Sequence, residues 1–364
     1  MNKIIVSCAG SGKTTYLVNK AMRLSVKNKV LITTFTDNNT EEIVKKFYEL
    51  FGFKPANVDV LPWFTFQLKH LIRPYQLPFI EKRINNIIMV QGKSTTYKGN
   101  NDKENYVMDD QIFSDKIALL AFKTLTETKH TLSRLQRIYS YIFIDEFQDM
   151  EGYDLEIIKL LSKNNIKMDI VCDPRQHTFS THYDAKNHKY TCTPLKYIEE
   201  QCSDYFEIDE TTLNGSYRCP KNTILYASTI FPDLPQSDSL KEHKEGDGIH
   251  FIKKSLIDDF LENNCDVLQL RSSISTKVND SYNVTTFGKS KGLTRENVLI
   301  YPTKPMLKAI LLNNFLNYKS KCDLYVALTR AQHKTGIIVP DEDYAKFVVI
   351  EDYINSFLKS DTQQ

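Results

Sequence analysis

Residues Ser7 to Thr15 read Ser-Cys-Ala-Gly-Ser-Gly-Lys-Thr-Thr. Glycines at 10 and 12 let the backbone turn until several N–H groups face one point. The lysine after the second glycine brings an ammonium there, and the next hydroxyl can hold a divalent cation. That is phosphate chemistry, so Ala9, Gly10, Ser11, Gly12, Lys13, Thr14 and Thr15 are candidate nucleotide ligands and Thr14 a candidate Mg²⁺ ligand. The pattern departs from G-x-x-x-x-G-K-[ST] only at Ser7, which stands where the first glycine belongs. A second centre is Tyr141 to Asp149, Tyr-Ile-Phe-Ile-Asp-Glu-Phe-Gln-Asp. Acids at the end of a buried strand lie where α/β sheets bind ligands. Asp145 is placed to hold Mg²⁺, largely through water, and Glu146 to polarise the water that attacks a γ-phosphate. Gln148 and Gln176 can contact a phosphate or its attacking water without adding charge. Arg218 and Arg330, from the far half of the chain, can neutralise transition-state charge.

The elements around these residues follow from hydrophobic pattern. Lys3 to Val6 reads as a strand before the glycine loop and Tyr16 to Leu24 as a helix after it. Val30–Phe35 and Val58–Leu61 are further strands, with a helix from Asn39 between them. Trp63 to Ile72 reads as a helix that stops before Pro74. Gln91 to Asp110 is polar and reads as a loop or small hairpin, Ile112 to Lys129 as helical, and Met168 to Asp173 as a strand ending in an acid. In the second half, strands are expected at 249–252, 267–270, 283–286, 298–301 and 336–339. Helices are expected at 307–316, 324–332 and 344–358. Phe231 to Gly248 reads as a solvated linker. Strand–helix alternation in both halves predicts two parallel α/β layers.

With 364 residues, the chain is long enough for two domains. A formal net charge of +2 neither favours nor opposes nucleic acid. Seven cysteines without a C-x-x-C pair argue against a disulfide framework or zinc site and fit a reducing cytoplasm. A first strand starting at the N-terminus leaves no room for a signal peptide, and no apolar run reaches the length of a membrane span.

The ordered set AGSGKT, TTFTDNNTEEI, YIFIDEFQD, CDPRQ, NGSYRC, TTFGKSKGL and LYVALTRA, from Cys8 to about Val339, resembles the superfamily 1A helicases of the UvrD/PcrA/Rep group. The resemblance implies an α/β fold of two RecA-like P-loop NTPase lobes, with parallel sheets flanked by helices. The first lobe would span 1–205, with a short insertion at about 74–133, and the second 206–364. It implies ATP and Mg²⁺ as ligands, with Thr14 and Asp145 on the metal and Glu146 as catalytic base. Gln176, Arg218 and Arg330 would touch the γ-phosphate, and Tyr217 would stack on adenine. Phe35, Thr36 and Phe179 match positions that touch DNA, and Lys291-Gly292 matches the coupling motif of the second lobe. There are departures. The glutamine motif that reads adenine would precede the start of this chain. Thr294 replaces the acid expected on the ribose, with Glu296 nearby, and Gly288 replaces a histidine. Thr181 stands where a base-stacking tryptophan is usual. Trp63 is a candidate to supply stacking instead, or else a core anchor. The large subdomain that interrupts the second lobe in this group has no room between Arg218 and Lys291. That economy is similar to the helicase subunits of phage-defence systems such as Gabija.

The expected function is an ATP-driven translocase or helicase on single-stranded DNA, 3′ to 5′ by resemblance, in which hydrolysis is coupled to lobe closure. A nuclease subunit is a candidate partner. The alternative is a regulatory DNA-sensing ATPase switch that signals to such a partner without net unwinding. A small-molecule kinase would leave the second-lobe motifs unexplained. With the adenine-reading motif and ribose acid missing, comparable hydrolysis of GTP and ATP is expected.

Overall fold

The run Val30–Thr34 offers no face to water, and in the computed structural model of the chain all five of its residues are buried. A strand of this kind must be covered on both faces, which a parallel sheet between helices provides. The structure describes residues 1–90, 92–94, 106–178, 186–314 and 317–358. They divide into two compact units. One holds Met1–Ile5, Lys13–Pro174 and the described part of 179–209. The other holds Val6–Gly12, Arg175–Thr178 and the described residues from Glu210 onward.

The first unit, to which the second contributes the last residues of the strands β1 and β9, is built from β1 (Asn2–Ser7), α1 (Lys13–Arg23), β2 (Val30–Thr34), α2 (Asp37–Phe51), β3 (Val58–Pro62) and α3 (Trp63–Phe66). There follow β4 (Asn86–Ile88), β5 (Val107–Met108), β6 (Gln111–Phe113), α4 (Ile117–Glu127), α5 (Thr131–Ile138), β7 (Tyr141–Ile144), α6 (Tyr153–Lys163), β8 (Lys167–Cys172), α7 (Pro194–Gln201) and β9 (Phe206–Leu213). The main sheet has the order β3-β2-β7-β8-β1-β9. β2 pairs in parallel with both β3 and β7, and β7 with β8. The register sets Thr33 beside Ile144, so the last residue of β7 lies at the C-terminal edge of the sheet. β4, β6 and β5 form a small separate sheet, in which β5 and β6 make a hairpin that turns at Asp109–Asp110. Of the stretch 91–110, read as a loop or small hairpin, residues 91 and 95–105 lie outside the described residues. The helix expected from Ile112 starts later, at Ile117, because Gln111–Phe113 is drawn into that sheet. After α3 the chain continues through a π-helical stretch, Gln67–Ile72, closed by the Arg73 N–H on the Leu68 carbonyl at 2.9 Å.

The second unit contains β10 (Gly215–Ser216), α8 (Lys221–Thr229), β11 (Asp238–Ser239), β12 (Gly248–Lys253), α9 (Ile257–Asn263), β13 (Val267–Arg271) and β14 (Val284–Thr286). After these come β15 (Arg295–Tyr301), α10 (Lys304–Leu312), α11 (Tyr318–Leu328), β16 (Ala331–Val339) and α12 (Tyr344–Ser356). Its five-stranded sheet, β12-β16-β15-β13-β14, is parallel throughout. Two expectations need correction. The stretch 231–248 is not a solvated linker. Phe231 is buried edge-on to Tyr318 and Tyr325, β11 pairs with β10, and the buried Asp247 accepts from Lys241, His333 and the Lys244 N–H. Prolines and charges signalled exposure, and half of the stretch is exposed, but Asp247 and Lys241 pair within the fold. The helix expected over 324–332 ends at Leu328, and β16 begins at Ala331. Thr329 and Arg330 form the turn between them.

β12 is an edge strand, and α12 covers its edge. Glu351 accepts the Phe251 N–H at 2.9 Å through one oxygen and faces His250 Nδ1 at 3.1 Å through the other. His250 Nε2 faces the Gly246 carbonyl at 3.0 Å. Only the imidazolium can donate to both acceptors. Burial and Lys334 oppose protonation, yet Glu351 and the Gly246 carbonyl outweigh them and raise the pKa above the ordinary histidine value. The stabilisation is therefore complete below the unfolded-state value of about 6.5 and is lost as pH rises through the higher folded value. Thermal unfolding of the parent and of His250→Gln should differ most below pH 6.5 and converge as the pH is raised. A gap that widened with pH would contradict this.

Candidate nucleotide site

In the first unit the site grows from two strand ends. α1 begins at Lys13, directly after a loop in which Gly10 and Gly12 have φ of 73° and 84°. Lys13 is largely buried, and Thr14 and Thr15 follow it in the first turn, each half-buried. From β7 the chain runs directly into Asp145, whose N–H donates to the Thr33 carbonyl at 2.9 Å and so extends the ladder by one residue. The Asp145 carboxylate, 3% exposed, accepts the Thr14 hydroxyl at 2.8 Å and the Glu146 N–H at 2.9 Å. Burial and then the neighbouring Glu146 carboxylate push the Asp145 carboxyl well above the usual carboxylate range, against the pull of Lys13 and Thr14. Glu146 sits at φ 59°, ψ 41°, a left-handed conformation uncommon for a residue with a Cβ. Its carboxylate accepts from Gln148 Nε2, while Gln148 Oε1 accepts the Asp173 N–H at 3.1 Å. The amide thus ties Glu146 to the end of β8.

In the second unit Arg330, 1% exposed, donates to the Val326 carbonyl (3.0 Å), the Leu293 carbonyl (3.4 Å), the Thr329 hydroxyl (3.2 Å) and Gln176 Oε1 (3.2 Å). Gln176 and Arg330 are thereby brought together. Arg218 Nη1 donates to the Thr329 carbonyl at 3.3 Å. The Tyr217 N–H donates to the Gly10 carbonyl at 3.0 Å, while its side chain is exposed. The fit at Gly10 is close: an added Cβ would lie 2.6 Å from Arg218 Cβ. The Ser11 hydroxyl is buried with no protein partner among the described residues, an acceptor-poor setting that suits an anionic ligand. Lys291 and Gly292 follow a 3₁₀ turn, Gly292 with φ 84°, and the adjoining Leu293 carbonyl is one of the acceptors of Arg330.

Residues 92–339, more than half of the chain, match the family described as the viral superfamily 1 RNA helicase core domain. The chain belongs to that family. Residues 1–72 match the UvrD/REP helicase N-terminal domain. Among curated proteins, a probable DNA helicase II homolog of Mycoplasma capricolum subsp. capricolum (strain California kid) is 23% identical over 131 residues. That alignment covers 36% of this chain and 16% of the relative, so the chain spans a small part of the relative's length. Among solved structures, the arterivirus nonstructural protein 10 helicase in complex with DNA aligns with a TM-score of 0.46 at 12% identity. It covers 94% of this chain and 62% of its own.

The helicase core places its candidate nucleic-acid contacts unevenly. Phe35 and Thr36 leave the C-terminal end of β2. Phe35 is half-buried, edge-on to Phe64 with centroids 5.5 Å apart, and Thr36 is exposed, its hydroxyl capping α2 through the Asn39 N–H. Phe179 and Thr181 lie outside the described residues. Trp63 is corrected: it is fully buried, its indole N–H donating to Asp154 at 2.7 Å alongside the Gln67 amide at 2.8 Å. It is a core anchor and has no free face for a base. Two residues that sequence reading left without a role, Arg175 and Tyr325, also contact the phosphate loop. Both stand inside the quoted motifs, but an arginine and a tyrosine there carry no pattern that announces a loop contact. Trp63→Phe should lower the unfolding free energy by roughly 1–3 kcal/mol for the lost bond to a buried carboxylate. The folded variant should keep the parental affinity, whatever it is, for single-stranded nucleic acid. A selective loss of affinity at unchanged stability would restore Trp63 to the interface.

Proposed function

We propose that this helicase core is an ATP-driven translocase on single-stranded nucleic acid, with DNA as its track and 3′-to-5′ movement. We assign its two lobes to 1–205 and 206–364. The observation that carries the reading is the Thr14 hydroxyl 2.8 Å from the buried Asp145 carboxylate, with Glu146 next in the chain. A hydroxyl and a carboxylate at one point form an all-oxygen donor set suited to a hard cation such as Mg²⁺. Bound there, Mg²⁺ would neutralise charge on the β- and γ-phosphates. Gly10 to Thr15 would cradle the phosphates through backbone N–H groups, and Lys13 would bring its ammonium to them. Glu146, oriented by Gln148, would take a proton from the attacking water. Gln176, Arg218 and Arg330 would balance charge that grows on the phosphoryl oxygens. Tyr217, with its exposed ring, would stack on the base, and Lys291-Gly292 would link Arg330 to the track. Hydrolysis would be coupled to closure of the lobes.

The family description names RNA, whereas the name of the curated relative includes DNA. Steady-state ATP hydrolysis with single-stranded DNA, single-stranded RNA or neither therefore separates the readings. Stimulation by DNA of about tenfold or more supports the proposed motor, and stimulation by RNA alone would reassign the track. Hydrolysis that neither stimulates would favour a regulatory switch that signals to a partner such as a nuclease. Glu146→Gln should lower kcat by about 10²–10⁴ with a small change in KM, the range expected for losing a general base. Parental turnover in that variant would remove Glu146 from its role. GTP should be hydrolysed at a rate comparable to ATP.

A further inference from the structure

We propose that Tyr325 is a positioning residue of the nucleotide site and that its hydroxyl fixes the shape of the phosphate loop. This rests on the site being an ATPase, but the geometry stands by itself. Tyr325 and Ala9 are both fully buried members of the second unit's core. The Ala9 N–H donates to the Tyr325 hydroxyl at 3.1 Å. A buried amide has to be paired, and the tyrosine supplies the acceptor from 316 residues away.

The ring is held on two sides. Phe231 meets it edge-on at 6.0 Å and 89°, and the Arg175 guanidinium lies 5.8 Å from its centroid. Arg175 in turn donates to the Ser7 carbonyl at 3.3 Å and to the Pro235 carbonyl. The first and third residues of the loop, Ser7 and Ala9, are thus both held by one tyrosine–arginine stack. Tyr325 also lies five residues before Arg330, in the last turn of α11. Its carbonyl accepts the Thr329 hydroxyl at 2.8 Å, and the Thr329 hydroxyl accepts from Arg330. The shape of the loop and the placement of Arg330 are therefore set from a single helix end.

Tyr325→Phe keeps the ring and its stacking and removes the hydroxyl, which is the acceptor of the Ala9 N–H. Amide hydrogen exchange measured on the full chain should show the Ala9 amide exchanging about tenfold faster, the loss expected for one buried hydrogen bond. The amides of β12 and β16 should be unchanged. In ATP turnover, kcat should fall by about five- to twentyfold while KM changes by less than about threefold. On an Arg330→Ala background the same change should still speed exchange at Ala9, because Phe keeps the backbone carbonyl that holds Thr329 and lacks the hydroxyl that holds Ala9. A residue that served packing alone would give unselective exchange. Parental exchange at Ala9 overturns the proposal, as does parental kcat in a parent protein that hydrolyses ATP. If the parent protein hydrolyses no ATP, the proposed function falls, and exchange at Ala9 alone then decides for or against Tyr325.

Discussion

A carboxylate cannot be left bare in a protein interior, and the first unit is arranged around one that is buried. Asp145 stands at the end of a strand whose apolar residues are covered on both faces, where losing hydration is costly. It is kept there by the Thr14 hydroxyl and the Glu146 N–H, while its own N–H is satisfied by Thr33. Each partner requires a different element: α1 for Thr14, β2 for Thr33, β7 for the acid itself. The sheet order that places β7 between β2 and β8 is what lets three separate segments meet. The left-handed backbone at Glu146 is part of the same arrangement, because it turns the chain sharply as it leaves the sheet. Gln148 then holds Glu146 against the end of β8.

The second unit meets the same constraint with the opposite sign. Arg330 is almost wholly buried, and its N–H groups reach two carbonyls, a hydroxyl and a glutamine oxygen. Four acceptors on different segments fix the plane of the guanidinium. The result is a positive group held in a fixed orientation, the condition under which an arginine stabilises a developing anion rather than a neighbouring side chain. Because Leu293 follows Lys291-Gly292 directly, the segment proposed for coupling shares a hydrogen bond with that arginine.

Much of this was legible in the residues. The glycine loop, the Asp-Glu pair and the strand–helix alternation rest on local pattern, and local pattern survives folding. Contacts far apart in sequence were not legible. Trp63 gave no sign of Asp154, which lies 91 residues on, so the residues left stacking and core anchor both open where the structure has a core anchor. The charges of 231–248 read as solvated because nothing local revealed that Asp247 would gather Lys241 and His333. The helix carried past Leu328 failed for another reason. Thr329 and Arg330 spend their side chains on the last carbonyls of α11, which ends the helix where its periodicity could have continued.

The choice of track follows a different logic from the choice of fuel. Phosphate chemistry at Lys13, Thr14 and Asp145 is blind to the polymer being moved, and aromatic stacking accepts any base on either sugar. Discrimination between DNA and RNA has to come from groups that touch the 2′ position. Of the candidates at the end of β2, Phe35 offers a ring already leaning on Phe64, and Thr36 offers a hydroxyl whose acceptor side is engaged by the Asn39 N–H. That hydroxyl keeps its proton to give, which suits a phosphate or sugar oxygen equally well. A helicase core that met its strand through backbone and base faces would leave the identity of the track to few residues, and relatives whose descriptions name different nucleic acids could share the remaining chemistry.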